Sequence, residues 1–192
     1  MKKQNIFNII HFIIYLIYAV GIVYFVTVRD FRSIILSILS LSGIIILIIL
    51  NKKYKHLFGD LLVNALIIFI AVAILGGTCL DFYQFHHFDD VLHIISGFIG
   101  CMVAKIIFYF SKNDTATFRK KLFFVLYMFM FSMGVASIWE LIEFGLDKYL
   151  GFDCQAGGLT DTMFDTLDCL VGSIIATTYY YFKIIKEEKV KK

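Results

Sequence analysis

Long apolar runs separated by short polar stretches set the pattern of this chain. Six runs stand out, at about 6–27, 33–50, 57–75, 91–110, 122–145 and 163–182. A helix rises about 1.5 Å per residue, so a hydrocarbon core about 30 Å thick takes about 20 apolar residues to cross. The pattern therefore predicts an all-α, polytopic membrane protein, a bundle of about six transmembrane helices forming a single integral membrane domain over residues 1–192. The polar remainder is too short to build a second core.

Composition sharpens this picture. Of 192 residues, 60% are hydrophobic, and there is no proline to break a long helix from within. Lys2 and Lys3 ahead of an apolar run suggest a secretory signal, but the run is about twice the usual h-region and no small-x-small cleavage site follows. A retained first helix is expected.

Charge placement predicts orientation. With six spans, one side carries Lys2, Lys3, Lys52, Lys53, Lys55, Lys112, Arg119, Lys120, Lys121, Lys183, Lys186, Lys189, Lys191 and Lys192. The other carries Arg29, Arg32 and Lys148, with Lys105 inside a span. Basic loops stay inside, so both termini are expected in the cytoplasm. The basic tail after Phe182 reads as an anchor attracted to anionic headgroups.

Polar residues inside the spans are costly and mark candidate chemistry. In the first span His11, with Asn8 near the inner end, reads as an interfacial or packed residue; Asp60 and Asn64, one turn apart in the third, could join a polar interior but lie near the cytoplasmic end, away from the main site. The last three differ. Asp89 and Asp90 precede His93 by four and three residues, which puts them on one helix face. Gly97, Gly100 and Ala104 continue near that face and allow a close helix neighbour. Glu140 and Glu143 close the fifth span three residues apart. Asp161, Asp165, Asp168 and Gly172 form one stripe at the start of the sixth. The alternating direction of the spans brings all three segments to the same, outer end.

A charge at a helix centre costs about 2.5–3.5 kcal/mol on insertion scales, so these carboxylates are expected to face one another across a bundle interior. Lys148 is the one nearby cation, which leaves shared protons, water or a bound cation as counter-charge. The set is hard and mostly oxygen, suited to a divalent ion: Mg²⁺, Mn²⁺ or Ca²⁺, or Zn²⁺ with His93 as ligand. Candidate metal ligands are Asp89, Asp90, His93, Asp161, Asp165 and Asp168; candidate acid–base groups are Glu140 and Glu143. For Asp89, Asp90 and Asp161 the alternative is helix capping, and for the deeper groups a structural hydrogen-bonded network.

Cys79 and Cys154 fall in outward loops, and either a disulfide or two free thiols fits the sequence. Cys101 and Cys169 read as small packing residues. The chain has no phosphate-binding glycine loop, zincin motif, nucleophile elbow or basic-aromatic surface, so nucleotide binding, those hydrolases and nucleic-acid binding lack support.

Three segments taken in order carry a family resemblance: Phe88-Asp89-Asp90-x-x-His93-x-x-x-Gly97-Phe98, Trp139-Glu140-Leu141-Ile142-Glu143-Phe144, and Asp161-Thr162-x-x-Asp165-x-x-Asp168-x-x-x-Gly172. The arrangement resembles the YjdF-like family of bacterial membrane proteins and, more loosely, the VanZ-like family, some members of which are linked to glycopeptide-antibiotic resistance. The resemblance extends over about residues 85–176. It implies a multi-pass protein of a bacterial plasma membrane, and Gln155 matches a Gln of the connecting loop. VanZ-like members usually carry an Arg before the last acidic helix, and this loop has none. Three functions remain open: a metal-dependent enzyme acting on a lipid or lipid-linked envelope substrate, a small cation- or proton-coupled transporter, and a structural or interaction protein whose polar network joins helices.

Overall fold

The computed structural model describes residues 2–54, 58–111, 113, 115, 117–151, 154–155 and 158–190. Lys55, Lys112, Lys191 and Lys192, counted above for orientation, lie outside the described residues. Among the described residues six α-helices make the architecture: α1 (Lys2–Val28), α2 (Phe31–Lys53), α3 (Asp60–Ile70), α4 (Phe88–Phe110), α5 (Phe118–Leu150) and α6 (Leu159–Val190). A π-helical stretch, Ala71–Cys79, extends α3, and a short 3₁₀ turn, Phe82–Gln84, precedes α4. The all-α expectation therefore holds.

Among the described residues five segments are long and apolar enough to cross a bilayer: Asn5–Val28, Phe31–Lys53, Asp60–Cys79, Phe88–Phe110 and Phe118–Tyr149. The sixth expected span, 163–182, is helical throughout but less apolar. Asp165 and Asp168 occupy its first turns and a Thr-Thr-Tyr-Tyr-Tyr run its second half. Its two faces differ sharply. Asp165, Cys169, Ser173, Ala176 and Thr177 are buried, while Phe164, Leu167, Val171, Ile174 and Ile175 are exposed. A polar face turned inward lowers the average without making the outer face polar.

The chain divides into two compact units, residues 1–88 and 89–192. In the first, α1, α2 and α3 with its π extension enclose Tyr18, Phe25, Ile44, Val63, Ile67 and Leu75. Asp30 caps α2, its side chain accepting from the Ser33 N–H at 3.1 Å. Buried polar groups here are neutral and mostly matched. The Tyr18 hydroxyl donates to Ser40 Oγ at 3.0 Å, Ser40 donates to the Ser37 carbonyl at 3.1 Å, and the Cys79 thiol points to the Ser33 carbonyl at 3.8 Å. His11 Nε2 meets Asn64 Oδ1 at 3.0 Å, and Asn51 donates to Asp60 at 3.0 Å.

The second unit packs α4, α5 and α6 through small residues. A β-carbon on Gly172 would collide with the backbone carbonyl of Ile94, and one on Gly97 with that of Cys169. These helices therefore touch backbone to backbone, the packing small residues permit in a membrane. Ser132 on α5 donates to the Gly97 carbonyl at 2.7 Å, and Ser173 on α6 donates to Ser132 at 2.9 Å. One serine pair thus ties all three helices. Thr117 caps α5, and Gly151 ends it in a left-handed conformation at φ 70°.

Candidate functional site

The close packing of α4 on α6 fixes what lies one turn beyond it. Toward the start of α4 from Gly97 stands His93, and toward the start of α6 from Gly172 and Cys169 stands Asp165. Both are buried, at 8% and 4% exposure. His93 Nε2 lies 3.7 Å from Asp165 Oδ1 and 3.4 Å from Asp89 Oδ1 on its own helix. The other ring nitrogen, Nδ1, faces the Cys169 thiol at 3.7 Å, and that thiol points to the His93 carbonyl at 3.3 Å. Cys169, which reads as packing in the sequence, thus also steadies the imidazole. Ser96 donates to the same carbonyl at 2.8 Å.

The end of α5 supplies two more carboxylates. Glu140 is buried, at 8% exposure, and Glu143 is half-buried. Glu140 Oε2 has no hydrogen-bond partner among the described residues. An unanswered carboxylate oxygen in the interior of a membrane bundle is expensive.

Two sets of side chains reach metal-ligand spacing. Asp89, His93 and Asp165 form one; Glu140, Glu143 and Asp165 form the other. Within each set the ligand atoms lie within 4.8 Å of one another, and Asp165 belongs to both. The structure thus brings together Asp89, His93, Glu140, Glu143 and Asp165. Glu140 and Glu143, expected from sequence as acid–base groups, have the placement of ligands as well. Asp90, Asp161 and Asp168 fall outside both sets. Each is half-buried and makes interactions of its own, and Asp90 and Asp161 occupy first helical turns.

The α5–α6 connection braces the cluster. The Asp147 carboxylate accepts from the Cys154 and Gln155 backbone N–H groups at 2.7 and 2.8 Å. The Gln155 amide then donates to Thr162 Oγ1 at 2.8 Å and to the Glu140 carbonyl at 3.4 Å. Gln155 ties the end of α5 to the start of α6. Asp147 was not singled out in the sequence, where it lies among the last residues of an apolar helix with no spacing that marks it. The cysteines settle in favour of thiols: Cys79, Cys101, Cys154 and Cys169 are all free.

No curated protein and no solved structure matches the chain. A family model does, over residues 9–186, nearly the whole length and beyond the 85–176 over which the motifs were legible. Its description is a predicted membrane protein, DUF2238, the family to which the YjdF-like resemblance pointed. The chain is thus a membrane protein of the DUF2238, or YjdF-like, family.

Proposed function

We propose that this protein is a metal-dependent enzyme of a bacterial plasma membrane, acting at the outer surface on a lipid or lipid-linked envelope substrate. One observation carries the reading: Glu140 Oε2 is buried and, among the described residues, unpartnered beside Glu143 and Asp165. A divalent cation answers that oxygen, and it also offsets the crowding of like charges around it.

Orientation follows the basic loops. Both termini are cytoplasmic and α6 crosses as a sixth span, its carboxylates turned inward and its apolar face toward lipid. The cluster then opens outward, near the headgroups.

A cation held by Asp165 with Glu140 and Glu143, or with Asp89 and His93, would supply a water of lowered pKa and a Lewis acid for an ester oxygen of the substrate. A cluster carboxylate, Glu140 or Glu143, would take the proton from the attacking water as it adds to phosphorus or carbonyl carbon, and would return it to the leaving oxygen as the ester bond breaks. The cation also provides the positive charge that an anionic substrate needs, since the carboxylates alone would repel it.

The test is purified protein in lipid nanodiscs, stripped with chelator and titrated with Mn²⁺, Mg²⁺ or Zn²⁺. Wild type should take up stoichiometric metal and melt at higher temperature with it. Incubation with envelope lipid extract should then give a mass-shifted product that chelator and Glu140→Gln both abolish. A wild-type protein that neither retains nor responds to a divalent ion would refute the proposal.

A further inference from the structure

We infer that the cluster is a binuclear centre with Asp165 as the bridging carboxylate. This rests on the cation reading above and goes beyond it. One ion is held by Asp89, His93 and Asp165, the other by Glu140, Glu143 and Asp165.

The first ground is connectivity. The two ligand-capable sets share Asp165 and no other residue. A carboxylate has two oxygens and about four lone-pair directions, so it can bind two ions at once. Asp165 is also the most buried of the four carboxylates, at 4% exposure, as a central bridge should be.

The second ground is the orphaned oxygen. An ion held by Asp89, His93 and Asp165 alone leaves Glu140 Oε2 unanswered. An ion held by Glu140, Glu143 and Asp165 alone leaves Asp89 to His93. Two ions give every carboxylate of the cluster a cation and free His93 to act as a ligand.

The third ground is charge. Asp89, Glu140, Glu143 and Asp165 bring four negative charges when ionised. Their ion-pair partner among the described residues is His93, which meets Asp89 and Asp165. One divalent ion leaves two charges unbalanced beside a neutral His93 and one beside a protonated His93, in a partly buried site. Two divalent ions close the balance.

The halves differ in character. The His93 half has a nitrogen ligand and suits Zn²⁺ or Mn²⁺; the other half is all oxygen and suits Mg²⁺, Ca²⁺ or Mn²⁺. Manganese fits both. Paired ions of this kind clamp the attacking and leaving oxygens of an in-line displacement at phosphorus. Two ions here would best suit a phosphate ester on a lipid as the substrate.

The experiment uses the full chain in nanodiscs, loaded with Mn²⁺ and freed of excess. Metal content is counted by mass spectrometry, and coupling between ions is read by electron paramagnetic resonance. Wild type should hold two manganese ions per chain with an exchange-coupled spectrum. Glu143→Gln and His93→Gln should each hold one ion with an uncoupled spectrum, and Asp165→Asn should lose coupling and bind both ions weakly. Melting curves identify any variant that fails to fold, and Glu143→Gln, at a half-exposed position, is the one least exposed to that failure. One ion per wild-type chain with an uncoupled spectrum would overturn the bridge and leave the cation reading intact. No bound ion would overturn both.

Discussion

The two units solve the same problem, polar groups inside an apolar bundle, in opposite ways. In residues 1–88 the buried polar groups are small and neutral, and they pair locally: Tyr18 with Ser40, Ser40 with the Ser37 carbonyl, His11 with Asn64. One amide oxygen, Asn51 Oδ1, has no partner among the described residues. In residues 89–192 the serine tie among Gly97, Ser132 and Ser173 follows the same economical scheme. One or two turns away the scheme is abandoned: four carboxylates gather, two of them, Asp89 and Asp165, meeting the His93 imidazole. Violations of this kind are expected where function is served at the expense of stability.

The sharpest way to test the contrast is to probe the packing that holds the cluster together. Gly172→Ala sets a methyl group against the Ile94 backbone, which has no rotamer to yield. The expected loss is about 3 kcal/mol or more, a drop of about 6–12 °C in Tm. Gly43→Ala on α2, where nothing lies within 4 Å, should change stability by less than about 1 kcal/mol and in the favourable direction. Equal effects at the two sites would mean that the α4–α6 contact is looser than described.

The next test turns on sign. In chelator, Glu140→Gln replaces one of several crowded carboxylates with an amide whose N–H groups can donate to Glu143 and Asp165. The metal-free variant should be more stable than wild type by about 1 kcal/mol, and it should lose the rise in Tm that Mn²⁺ gives. Tyr18→Phe, in the first unit, should do the reverse: it removes a satisfied hydrogen bond and costs about 1 kcal/mol. If Glu140→Gln destabilises like Tyr18→Phe, the cluster is a weld.

How far the sequence carried can be traced residue by residue. The spans were legible because lipid imposes length and apolarity on each helix separately. The end of the third was misplaced: the expected stop near 75 runs on as π-helix to Cys79, where Gly76 and Gly77 lie under the rings of Phe82 and Tyr83. That is a tertiary contact with no periodic signature. The Asp89–His93 pair was legible from i,i+4 spacing. The choice of Asp165 over its stripe neighbours Asp161 and Asp168 was not, because a stripe about 100° wide is settled only by the rotation of α6 against α4. Gly172 and Cys169 set that rotation. Asp147 acts on backbone N–H groups of a loop, and side chain to backbone bonds leave almost no trace in residue type.

The smallest effect concerns a charge outside the spans, and it tests whether local pairing suffices where water is at hand. Asp30 lies between α1 and α2, and hydrogen bonds from the Ser33 side chain, then from its backbone N–H, hold the carboxyl below the ordinary carboxylate range. A depressed folded pKa gives stability that is present above the unfolded value, about 3.9, and lost as pH falls through the folded one. Asp30→Asn keeps a good capping side chain and removes the titration. The difference in Tm between wild type and Asp30→Asn should therefore stay flat from pH 7 to about 5, then shift against wild type below about 4. Carboxylates common to both proteins cancel in that difference, the cluster included. A difference that stays constant through the acid range would mean that Ser33 does not favour the charged form, and that even this half-buried carboxylate is held by something other than its nearest partner.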